Sequence, residues 1–128
     1  MRSSLAWTAL ALCAVACNPE VPTETPDGVW RAFHKALERR RPDPAFELLS
    51  AADQGALAAR AKAAGASVKA VDMLIVDRRR LPPWEHVEAE VTGDRALVRI
   101  ALEGGATDRR EAVREGGEWR VVLGVTPP

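Results

Sequence analysis

From His86 onward the spacing of apolar side chains drops from three and four to two, and glycine-bearing turns interrupt the new period at near-regular intervals. Val87, Ala89 and Val91 alternate with Glu88 and Glu90, and after Gly93-Asp94 the residues Ala96, Val98, Ile100 and Leu102 alternate with Leu97, Arg99 and Ala101. Gly104-Gly105 precedes a polar strand around Arg109 to Arg114, and Gly116-Gly117 leads into Trp119, Val121, Leu123 and Val125. A period of two sorts side chains onto opposite faces of a strand, and two-residue glycine turns join antiparallel neighbours. The second half of the chain therefore reads as an antiparallel meander with one apolar face that another layer must cover.

That layer is upstream. Thr25-Pro26-Asp27 combines a hydroxyl cap, a proline where no N–H is needed and an acid at the positive end of the helix dipole. Val29, Trp30, Phe33, Ala36 and Leu37 then recur at helical spacing, while Arg31, Lys35, Glu38 and Arg39 fall on the other side. This spacing predicts a helix ending near Arg41, before Pro42. Asp43-Pro44 restarts a short helix carrying Phe46, Leu48 and Leu49, and an alanine-rich third helix is predicted from Ala52 to Ala64, with Leu57 inward and Gly65 as its stop. The stretch 67–85 reads either as a short helix followed by extended chain or as one strand, and Pro82-Pro83 then interrupts regular structure. Helices first and strands after give an α+β domain with N-terminal helices packed on one sheet face.

The extreme N-terminus has another grammar. Arg2 is followed by an almost wholly apolar run from Leu5 to Ala16, too short to span a bilayer, and Ala14 and Ala16 place small side chains at −3 and −1 relative to Cys17. A signal peptidase site admits only such side chains. Cys13 would leave with residues 1–16, so the mature chain would hold a single thiol and no internal disulfide. The segment 17–25, with Pro19 and Pro22 among Glu20 and Glu24, favours extended chain, and about eight residues at ~3 Å each would hold a domain off a surface.

Composition narrows the partners. The 18 basic and 18 acidic side chains balance, so no global positive field exists to recruit nucleic acid. The length beyond Cys17 suits one core and not two. Two histidines far apart give no metal-ligand spacing, and no cofactor is expected.

Ala14-Val15-Ala16-Cys17 resembles the bacterial lipobox, with Ala14 where that motif usually has Leu. The resemblance implies cleavage between Ala16 and Cys17, lipid on the Cys17 thiol, and attachment to the cell envelope; the alternative is plain secretion with a cysteine as first residue. Asn18 after the cysteine favours the outer membrane over the inner. The stretches "TPDGVWRAFHKALERRRPDPAFELLSAAD" and "VREGGEWRVVL" together resemble small bacterial lipoproteins of the nuclear transport factor two-like superfamily. That resemblance implies a cystatin-like, cone-shaped α+β domain over residues 26–126, its curved sheet wrapped around the first helix. Members include dehydratases and isomerases as well as non-catalytic binding domains. The chain has no tyrosine, so the Tyr-plus-Asp site of the steroid isomerases cannot be assembled.

Three functions remain open. In the first, a lipid-anchored envelope protein binds a small apolar ligand or a partner protein without catalysis, in a pocket lined by Trp30, Phe33, Leu37 and Trp119. In the second, His34 and a carboxylate, Asp72 or Asp77, form the base and orienting acid of a small dehydratase- or isomerase-like enzyme. His34 follows Phe33 at the margin of the apolar face, which predicts a surface or boundary position, and the residues expected to point inward are almost all apolar; both weigh against catalysis. In the third, a sheet face carrying Leu97, Ala101 and Val122 builds a homodimer. His86 and the runs Arg39–Arg41, Arg78–Arg80 and Arg109-Arg110 read as solvated surface, the arginines in ion pairs. Trp84 reads as a lid folded back on the core.

Overall fold

The computed structural model describes residues 21–76 and 83–128; the apolar N-terminal run, Cys17, most of the tether, Asp77 and Arg78–Arg80 lie outside them. A single 3-10 turn at Pro22–Glu24 leads into helix α1, Pro26–Glu38, followed by α2, Pro42–Glu47, α3, Ala51–Ala64, and α4, Asp72–Val76. Strands β1, Trp84–Thr92, β2, Arg95–Leu102, β3, Thr107–Glu115, and β4, Glu118–Val122, form one antiparallel sheet in sequence order. The domain is α+β, with helices on the inner sheet face. Among the described residues no helix is long and apolar enough to cross a membrane.

α1 begins as its sequence dictates: the Thr25 side chain accepts from the Gly28 N–H at 3.1 Å. It ends three residues earlier than the spacing predicts, at Glu38. Arg40 adopts φ 55°, its N–H donates to the Leu37 carbonyl, and the Arg41 N–H reaches back to Ala36 at 2.8 Å. This is a Schellman close with arginine in the left-handed position that glycine usually fills, so the sequence carries no glycine to mark it. Pro42 then starts α2 at its first turn. The carbonyls of Phe46, in the last turn of α2, and of Leu49, two residues past its end, are met from α3, where Gln54 Nε2 donates to them at 3.0 Å and 3.1 Å. The ambiguous stretch 67–85 contains a short helix, α4, and the start of β1.

The sheet register sets what each strand shows to the helices. Val87 pairs with Ile100 and Ile100 with Asp108; Val91, Ala96, Ala112 and Val121 form another row on the same face. Gly93, with φ 62°, takes the first central position of the two-residue β1–β2 turn, and Gly116 and Gly117, both with positive φ, fill the β3–β4 turn. The inner face packs Val98, Ile100, Ala112 and Val121 against Val29, Trp30 and Phe33 of α1. Helical cover stops short of the β1–β2 turn. Of the inward row predicted on β1, only Val87 is buried, while Ala89 and Val91 are exposed.

The two sheet edges differ. Leu49 forms a parallel bridge with Val121: the Val121 N–H donates to Leu48 at 2.8 Å and the Ser50 N–H to Val121 at 2.9 Å. Beyond β4 the same edge continues onto a side chain. Asp53 of α3 accepts from the Leu123 N–H through Oδ2 at 2.6 Å and from the Val125 N–H through Oδ1 at 2.8 Å.

Candidate ligand cavity

A cavity of about 480 Å³ opens between the helices and the inner sheet face. α1 contributes Trp30, Phe33, His34 and Leu37, four residues that helical spacing gathers on one side. α3 brings Leu57 and Arg60, and α4 brings Met73 and Leu74. From the sheet come Ile100 and Leu102 of β2, Asp108 and Arg110 of β3, and Val121 with Leu123 and Val125 just past the end of β4. The volume is in the range of small-molecule sites. Trp119 is not among the lining residues. It is buried, 4% exposed, with the Arg114 guanidinium 5.0 Å from its ring centroid.

His34 departs from the surface position its sequence neighbours suggest: it is 3% exposed and forms part of the cavity wall. The cause is tertiary. Trp84 closes over the α1 face, its ring 5.5 Å from that of Trp30 at 79° and 6.3 Å from the imidazole at 88°, and the imidazole itself lies 5.0 Å from Trp30, one helical turn earlier. Arg31 lies 5.8 Å from the Trp84 ring centroid. Burial pushes the His34 imidazole below its ordinary value of 6.5, and the carboxylate of Glu38 partly opposes this, with Oε1 3.4 Å from Nδ1. A neutral imidazole is therefore favoured near pH 7. The carboxylate beside His34 is Glu38, from the next turn of its own helix. Asp72 is exposed and accepts from the Lys69 N–H at 3.2 Å, and Asp77 lies outside the described residues.

The wall is also less apolar than the sequence suggests. Asp108 and Arg110 face inward because they pair with Ile100 and Val98, and Arg110 Nε stands 3.4 Å from Asp108 Oδ2. Arg60 reaches the chain's last residues: Nε donates to the Thr126 carbonyl at 2.6 Å and Nη2 to Thr126 Oγ1 at 3.2 Å. The signal for Asp108 and Arg110 was Ala112, a small apolar residue at the same parity of a polar strand. Asp53, which fastens Leu123 and Val125 in the wall, was marked by Ser50 three residues before it, the pattern of a capping box.

The outer sheet face carries Leu97 and Val122 in one cross-strand row, but Glu90 and Glu111 alternate with them, so no continuous apolar patch results. His86 is exposed beside Glu88 at 3.0 Å, and Arg99 pairs with Glu90 at 3.3 Å. No group of three or more His, Cys, Asp or Glu side chains that could hold a metal ion occurs among the described residues. No protein-family model matches the chain, and neither characterised proteins nor solved structures give a match.

Proposed function

We propose that this chain is a lipid-anchored protein of the cell envelope whose cavity holds a small, largely apolar ligand without transforming it, on a domain of the nuclear transport factor two-like kind. The observation that carries this reading is the cavity itself, walled by Trp30, Phe33, Leu57 and Ile100 and open at one side. An apolar surface of this depth left to water is costly, and a ligand that fills it recovers about 25 cal/mol for each Å² removed from solvent. Anchoring through Cys17 rests on the residues around it, and Asn18 after the cysteine supports the outer membrane over the inner. Two measurements test the proposal. The N-terminal peptide from the membrane fraction should carry an acyl mass on Cys17. Native mass spectrometry of the chain after exposure to envelope extract should find a retained small molecule; a bare chain in every extract fraction would overturn the ligand reading.

A second reading has one observation in its favour. His34, favoured in its neutral form and with Glu38 3.4 Å from Nδ1, has the parts of a general base and its orienting acid. In that case His34→Gln would accumulate unconverted substrate, one water heavier than the product for a dehydration and an isomer of equal mass, separated by chromatography, for an isomerisation. Under the binding reading both forms retain the same molecule.

A further inference from the structure

Resting on that reading of the cavity, we infer that its ligand is an amphipathic monoanion: an apolar body seated against the α1 wall and a carboxylate received by Arg60 and Arg110. Among the described residues, the charged side chains lining the cavity are Arg60, Arg110 and Asp108, two cations and one anion. The described part of the wall thus carries one surplus positive charge, and burial disfavours the charged form of His34 beside it. Arg60 and Arg110 stand at the solvent edge of apolar surface, where a monoanion closes the charge balance and gains charge-assisted hydrogen bonds. A phosphate monoester, carrying close to two negative charges, would overshoot.

The donors are set for such a group. A guanidinium has five N–H donors in a planar fork, matched to the two oxygens of a carboxylate. Thr126 fixes one side of the Arg60 fork through Nε and Nη2, and among the described residues Arg60 makes no other hydrogen bond. The nearest partner of Arg110 is Asp108, at Nε, and no hydrogen bond from its Nη groups occurs among the described residues. Packing alone does not call for Arg110: its strand neighbour on this face is Val98, fully buried, and a β-branched residue would suit the same surface. With a side chain 37% exposed, Arg110 stands where the cavity meets solvent, while Trp30 and Phe33 lie 6% exposed. Charge at the opening and aromatic carbon within require a ligand with the same two ends.

The test is isothermal titration of the full chain carrying Cys17→Ser, with decanoate, decanol and decylamine below their aggregation limits. Decanoate should bind at least tenfold more tightly than decanol, and decylamine more weakly than either. Arg110→Gln should erase most of the preference for decanoate over decanol, the ratio of the two affinities being the readout. Arg60→Lys keeps the charge and loses the fork, and should give an intermediate preference. Equal binding of decanoate and decanol, or preference for decylamine, overturns the anionic inference and leaves the apolar-ligand reading standing. No binding of any of the three overturns both.

Discussion

Asp53 is a carboxylate only 3% exposed whose two oxygens are both assigned: Oδ2 accepts from the Leu123 N–H and the Ser50 hydroxyl, Oδ1 from the Val125 N–H. Hydrogen bonds to a charged acceptor are the stronger kind, and Asp53→Asn places an amide donor against backbone donors. The expected loss is about 2–4 kcal/mol of unfolding free energy, read from urea titration. His34 gives a pH prediction with a definite sign. Its folded pKa lies below the unfolded value, so the unfolded chain takes up the proton first as pH falls. The stability gained from burying the neutral ring is fully present above about pH 6.5, the unfolded value, and declines from there down to the folded pKa. The native melting temperature should therefore fall more between pH 7.5 and 5.5 than that of His34→Phe, with Glu38 softening the drop; equal slopes would contradict the assignment. Trp30, Phe33 and Leu37 were legible from helical spacing alone. Asp108 and Arg110 were marked only by the parity of Ala112, a faint signal on an otherwise polar strand, and His34 was misread because its cover, Trp84, comes from a distant part of the chain.

At the scale of elements, local chemistry was legible wherever it carried its usual residue. Proline and threonine marked the start of α1, and paired turn residues marked each hairpin. The end of α1 was hidden because Arg40 takes the position glycine normally announces. Two helical glycines separate propensity from context. A Cβ added at Gly55 of α3 meets nothing within 4 Å, so Gly55→Ala should gain about 0.5–1 kcal/mol from helix propensity. At Gly28 of α1 the same Cβ would stand 2.6 Å from Thr25 Oγ1 and 2.9 Å from the Pro22 carbonyl oxygen. Gly28→Ala must displace the cap or the preceding turn, so it should destabilise by about 1 kcal/mol, the usual worth of a cap, despite its better propensity. Opposite signs for the two variants in chemical denaturation check the pair; a gain at both would mean that the N-terminal turn yields freely.

Across the whole molecule, the cavity belongs to no single element. Its wall draws on α1, α3, α4, the sheet and the chain after β4, so a ligand bound there would link them. Ligand at about 100 times Kd should add about 2.7 kcal/mol, seen as a rise of several degrees in melting temperature. Deleting 125–128 removes Val125 from the wall together with the Asp53 and Arg60 contacts that hold it, and should lower both stability and ligand uptake. The segment 123–126 is thus part of the cavity wall, with a practical consequence for handling the protein. An affinity tag or fluorescent reporter fused after Pro128 would load the segment that Asp53 and Arg60 hold, and could pass for weak ligand uptake. The Gly93-Asp94 turn lies at the other end of β2 from Ile100 and Leu102, with open space beside Gly93, and is the sounder place for a label.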